Sequence, residues 1–263
     1  MIRTYVPKGA DVGLVFGKTR REDVKWVRDL IQENPNFKPF IYTADAEPEP
    51  GFLPPHSARG REVSAYLSYV VDYYEQLPAY SIFIHANEDQ WHNDLFGPST
   101  KAVLKSLRLE AVDAKGYVNL RCEFEPGCPT SIHPHNPTPH DIETKDTRAY
   151  VSQIYMDLFA VPLQQVPDHL GAICCAQFAV SRDRIRQRPK SDYQRMLNWV
   201  DGPSAEIVDS FGVGWVFESL WHVVFGMDSI NCPETLQCRC DNYGWCGPLA
   251  SGQTLTAVRK KTK

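Results

Sequence analysis

Residues 62–94 read EVSAYLSYVVDYYEQLPAYSIFIHANEDQWHND, and two hydrophobic periods meet within them. Val63, Tyr66, Leu67, Val70 and Tyr74 recur at helical spacing, which predicts a helix from Glu62 to Gln76 stopped by Pro78. Tyr80–His85 is then a short apolar run of strand length, followed by a polar loop. A helix running straight into a buried strand is half of a βαβ unit, and the flanking sequence supplies the rest. VGLVF (12–16) predicts a strand, and Val24, Val27, Leu30 and Ile31 mark one face of a helix. FIYT (40–43) predicts a second strand, reached before a Pro- and acid-rich loop over 44–58. Thr19 and Glu22 have capping-box spacing before the first helix.

Downstream, helices are expected over 100–109, 148–159, 192–200 and 213–225, with a Pro- and His-rich irregular stretch at 122–147. AICCAQFAV (172–180) is a continuous apolar run of strand length. Strands alternating with helices predict an α/β fold: one domain over 1–250, a mainly parallel, Rossmann-like central sheet flanked by helices, and a disordered basic tail at 251–263. Ligands of such sheets sit at the carboxyl ends of the strands, which selects the segments after Phe16, Ile84 and Val180.

Composition bounds the function. The chain has 263 residues, 43% apolar, with a formal net charge of −4. That suffices for one large core and excludes a generally basic nucleic-acid coat, so a polyanion would need a local patch. No secretory signal and no membrane-length apolar run is read, which predicts a cytoplasmic protein that engages no membrane and no DNA. Eight cysteines are present, and without a signal peptide free thiols are expected ahead of disulfides. Cys232, Cys238, Cys240 and Cys246 lack the C-x2-C spacing of common zinc sites, and Cys174-Cys175 reads as core packing. Cys122 and Cys128 flank a loop across which they could pair.

Four constellations carry chemistry. The loop 85–94 gathers His85, Glu88, Asp89, His92 and Asp94 at a strand end, where they suit substrate binding, acid–base work or oxygen ligation of a cation. Glu218 and His222 lie four residues apart on an apolar helix, a placement that asks for pairing. Glu62, preceded by Arg59 and Arg61, opens a helix, where an acid also serves as a plain cap. Finally, FAVSRDRIRQRPK sets Arg182, Arg184, Arg186 and Arg188 at alternate positions. In an extended chain they would form one row able to track phosphates; in a helix they split into i,i+4 pairs.

The segments GREVSAYLSYVVDYYEQLP, GYVNLRC, CCAQFAVSRDRIRQRP and FESLWHVVFG resemble a fungal family of domains of unknown function. That resemblance implies a fold similar to glycosyltransferase-A enzymes. It also implies kinship with arginine-containing cyclodipeptide synthases, which join arginine to a second amino acid from aminoacyl-tRNA. Those synthases carry a D-D-x-x-E signature, whose nearest counterpart here is Asp72-x-x-Glu75 with Val71 at the first acidic position. On this reading the catalytic candidates are Glu62, His85, Glu218 and His222, and the substrate pocket is Asp89, His92, Asp94 and Gln177. Arg61 and the arginine row would hold arginyl-tRNA, and no cofactor is required. The alternative is a nucleotide-sugar glycosyltransferase using Mn or Mg on Asp89, Asp94 and His222; a binding module without catalysis is the third reading.

Overall fold

The computed structural model describes residues 11–45, 47–93, 95–202 and 207–249; the tail at 251–263 lies outside them. The strands are β1 (Val12–Lys18), β2 (Phe37–Thr43), β3 (Tyr80–His85), β4 (Leu95–Pro98), β5 (Tyr117–Asn119), β6 (Gly171–Ala172), β7 (Phe178–Ser181) and β8 (Ile230–Asn231). The helices are α1 (Lys25–Glu33), α2 (Glu62–Tyr73), α3 (Thr100–Ser106), α4 (Leu109–Lys115), α5 (Pro139–Thr144), α6 (Val151–Phe159), α7 (Arg182–Arg186), α8 (Lys190–Asp201), α9 (Ser210–Val224) and α10 (Thr235–Tyr243).

A five-stranded sheet in the order β2-β1-β3-β7-β5 forms the centre. β1 pairs parallel with β2 and β3, whereas β7 runs antiparallel to both β3 and β5. The fold is therefore mixed α/β with a mainly parallel sheet, and β7 is its one reversed strand. Side chains alternate across the sheet as the two-residue strand period requires. Val15, Phe83 and Phe178 enter one core with α2, α6, α8 and α9, while Leu14, Phe16, Ile82 and Ile84 enter the other with α1, α4 and α10. Among the described residues no helix is long and apolar enough to cross a membrane.

Several expectations change. The Thr19–Glu22 pair forms, with the Glu22 carboxylate accepting from the Thr19 N–H and Oγ1, but it closes a turn; α1 begins only at Lys25. The expected helix at 100–109 is two helices, because Leu107 adopts an extended conformation at the end of α3. The run 172–180 is not one strand. It breaks at Cys175 and Ala176, both with positive φ, and resumes as β7 in the opposite direction to β1–β3.

The cysteines are all disulfide-bonded: Cys122–Cys238, Cys128–Cys232, Cys174–Cys175 and Cys240–Cys246. Cys122 and Cys128 do not pair with each other. Each reaches more than 100 positions along the chain, tying the segment after β5 to α10 and to the chain just past β8.

Candidate functional site

The carboxyl ends of β1 and β3 lie side by side, with Gly17 paired to His85. Over them opens a cleft of about 490 Å³ lined by Gly17, Thr19, Glu22, Ala44, Arg61, Glu62, His85, His92, Cys175 and Glu218. The parallel part of the sheet and the start of α2 build it. Gly17 is what lets them meet: a Cβ there would lie 2.8 Å from Glu62 Cα. The bare backbone of β1 thus admits the first turn of α2, and Glu62 arrives at the strand ends.

Glu218 comes from α9. Its Oε1 accepts the Cys175 N–H at 2.9 Å. Burial is the main influence on it and raises its pKa above the ordinary carboxylate value; the Cys175 N–H opposes this, and Glu62 adds to it. Gly214, one turn earlier on α9, has Glu62 Oε1 4.0 Å from its virtual Cβ, so Glu62 and Glu218 approach the same helix face.

His85 Nε2 lies 3.0 Å from the Cys175 carbonyl, so the Cys174–Ala176 turn contacts both Glu218 and His85. The His92 ring lies tilted against its neighbours, its centroid 4.8 Å from that of His85 and 4.1 Å from that of Trp91, an exposed indole with Arg121 over its ring. Burial, then the charges of His85 and Arg121, push His92 down to about 4, so its imidazole is neutral at physiological pH.

The other expected site residues fall elsewhere. Gln177 is buried behind the cleft; its Oε1 accepts from the His85 N–H and its Nε2 donates to Asn93, so it positions His85 rather than touching a substrate. Asp89 lines a separate hollow against α1 with Asp23, Lys25, Trp26 and Arg28. Asp94 lies outside the described residues. His222 does not pair with Glu218: it is buried at the end of α9, with Nε2 3.0 Å from the Ser229 carbonyl. Asp72 is ten residues along α2 from Glu62, about 15 Å at the helical rise, and pairs with His56.

The arginine row is neither extended nor on the cleft. Because β7 is antiparallel, its last residue Ser181 pairs with Tyr80, the first of β3, and Arg182 N–H donates to the Ala79 carbonyl. The row therefore starts at the end of the sheet opposite His85. Arg184 donates to the Lys115 and Gly226 carbonyls. Arg186 donates to those of Tyr74 and Glu75, and Arg188 to those of Val223 and Val224. Three guanidiniums thus close the carboxyl ends of α4, of the 3-10 turn after α2 and of α9, where unpaired carbonyls and the helix dipole favour a cation.

Among the described residues Asp89 and His222 do not converge as ligands of Mn or Mg: Asp89 lines the hollow against α1, and His222 is buried on the Ser229 carbonyl. Among the described residues, three ligand atoms converge within 4.8 Å only at Cys174, Cys175 and Glu218. Of the residues expected from the sequence, Glu62, His85, His92, Glu218 and Arg61 line this one cleft. The sequence reading missed Glu22, known only as a capping acid, and Cys175, whose signal was the doubled cysteine.

The family model described as "Protein of unknown function (DUF3431)" matches residues 14–241, and the chain belongs to that family. No curated protein and no solved structure matches it.

Proposed function

We propose that this DUF3431 protein is an enzyme that transfers a glycosyl group by general acid–base chemistry, working in an oxidising compartment. One observation carries the reading: two carboxylates, Glu62 and Glu218, face one cleft at the carboxyl ends of parallel strands, and one of them is desolvated. A carboxyl group with a raised pKa holds its proton closer to neutrality, which suits protonation of a leaving oxygen. Its partner, Glu62, is placed to take the proton of an attacking hydroxyl or to face the positive charge that develops on a sugar ring. The Gln177 and Cys175 contacts hold His85 at the cleft wall, and Trp91, exposed beside the cleft residue His92, adds apolar surface a saccharide could meet.

Four disulfides support the compartment, because such bonds persist outside the reducing cytosol. They weigh against the cytoplasmic expectation. They also weigh against arginyl-tRNA as donor, as does the commitment of Arg184, Arg186 and Arg188 to helix ends at the opposite end of the sheet. Aminoacyl transfer is kept as a second reading for a specific reason: a cleft with three glutamates suits a guanidinium or amino group.

One experiment separates the two. The disulfide-bonded protein is incubated with a nucleotide-sugar panel plus glycan acceptors, and in parallel with a charged tRNA pool, and products are read by mass spectrometry. The expected result is a glycosylated product lost in Glu218→Gln. An RNase-sensitive arginine diketopiperazine would instead establish the second reading.

A further inference from the structure

Three of the four disulfides connect residues distant in sequence or close a six-residue step. Cys174–Cys175 joins neighbours, so it closes no loop and contributes almost none of the chain-entropy stabilisation that crosslinks usually bring. Its position is more telling than its stability. The turn it occupies holds Cys175 at φ +93 and Ala176 at φ +48, conformations that non-glycine residues avoid. From that turn the Cys175 N–H reaches Glu218 and the Cys175 carbonyl reaches His85. Glu218 also borders a second hollow of about 170 Å³ lined by Cys174, Trp215 and Ser219. The disulfide therefore stands between two openings, both touching the same carboxylate.

The ligand atoms of Cys174, Cys175 and Glu218 lie within 4.8 Å of one another. Arg121 Nη1 lies 2.8 Å from Cys174 Sγ and 3.5 Å from Cys175 Sγ, and a guanidinium so placed favours thiolate over thiol. We propose that Cys174–Cys175 is a reducible element whose two thiolates, with the Glu218 carboxylate, form a site for a thiophilic divalent cation of the zinc class. An external dithiol supplies the two electrons: the Cys174–Cys175 bond breaks and the reductant leaves as its own disulfide. Its two protons pass to the cysteine sulfurs and are released when the metal binds. Sulfur ligands with one carboxylate, the remaining position taken by water, match zinc-type preferences. Capture of Glu218 by the metal removes it from proton transfer, and this consequence alone rests on the function proposed above.

The test uses Cd²⁺ as probe, read by its ultraviolet thiolate charge-transfer band on the full chain, with alkylation mapping of the thiols. The oxidised protein is expected to show no band. After limited dithiol reduction Cys174 and Cys175 are expected to alkylate first, and the metal-loaded protein to bind one Cd²⁺. The double variant Cys174→Ser, Cys175→Ser loses the band. Glu218→Gln weakens Cd²⁺ binding by at least about tenfold, the scale on which even outer-shell partners act. A band that survives in the double variant overturns the proposal. So do unchanged affinity in Glu218→Gln, reduction that opens the other disulfides while Cys174–Cys175 stays closed, and mapped free thiols at 174 and 175 that take up no Cd²⁺. Cd²⁺ uptake by a protein that transfers no sugar would leave this site standing and remove only the glycosyl reading.

Discussion

His222 shows how a residue with catalytic credentials becomes a structural one. It sits four positions from Glu218, yet the last turn of α9 turns it inward, where it is 1% exposed and bound to the Ser229 carbonyl. Burial pushes its pKa down from 6.5 to about 4. The unfolded chain takes up a proton near 6.5 while the folded chain does not until about 4. The stability it contributes is thus complete above 6.5 and is lost as pH falls through 4, by roughly 3–4 kcal/mol at about 1.4 kcal/mol per unit. His222→Gln is expected to flatten the acid limb of a urea-midpoint profile between those values. Glu218 has the opposite sign. Its raised pKa makes the ionised form unfavourable in the fold, so its contribution to stability is lost as pH rises from 4.5 through the folded value. Glu218→Gln is therefore expected to abolish turnover without lowering the urea midpoint at pH 8; a fall in midpoint equal to that of a core mutation would make Glu218 structural.

Elements explain the arginines and the glycine. A period-two row looks like a strand-borne comb, but Ser181 caps α7 by accepting from the Arg184 N–H, and the chain coils at the first arginine. Three of the guanidiniums then reach carbonyls at helix ends, while Arg182 stays exposed beside Asp183. Arg188→Ala removes the bonds to Val223 and Val224 and the ion pair with Asp192, and is expected to cost roughly 1–3 kcal/mol, measured by urea unfolding. Arg182→Ala with Arg184→Ala is expected to leave the salt slope of heparin binding unchanged; a slope lowered by about one or more would restore the phosphate-tracking row. Gly17→Ala acts in the other direction, on the site. Its methyl would lie 2.8 Å from Glu62 Cα and force the first turn of α2 away from β1. Activity is expected to fall by about a hundredfold through displacement of Glu62, with helix content kept in circular dichroism.

At the scale of the whole molecule, the Cys122–Cys238 and Cys128–Cys232 links hold the C-terminal α10 and β8 region against the segment after β5. Replacing Cys122 and Cys238 by Ser is expected to cost roughly 2–5 kcal/mol in non-reducing urea unfolding, and a loss near zero would show that packing alone seats α10. What the sequence determined by itself is local. The helical period of 62–74, the apolar run 80–85 and the 12–16 strand each record which face is buried, because burial pattern and backbone period are properties of neighbours. Glu62 and His85 were legible for the same reason, since they sit at the ends of those elements, and His92 lies in the loop that leaves β3. What only the tertiary structure decided is non-local. The direction of β7 depends on a turn at Cys175 that an unbroken apolar run conceals, and that direction carries the arginines to the far end of the sheet. The pairing of Cys122 with Cys238 spans 116 positions, and Glu218 meets Glu62 across more than half of the chain. Contacts between residues so far apart leave no periodic trace in the sequence, since packing of the finished layers creates them.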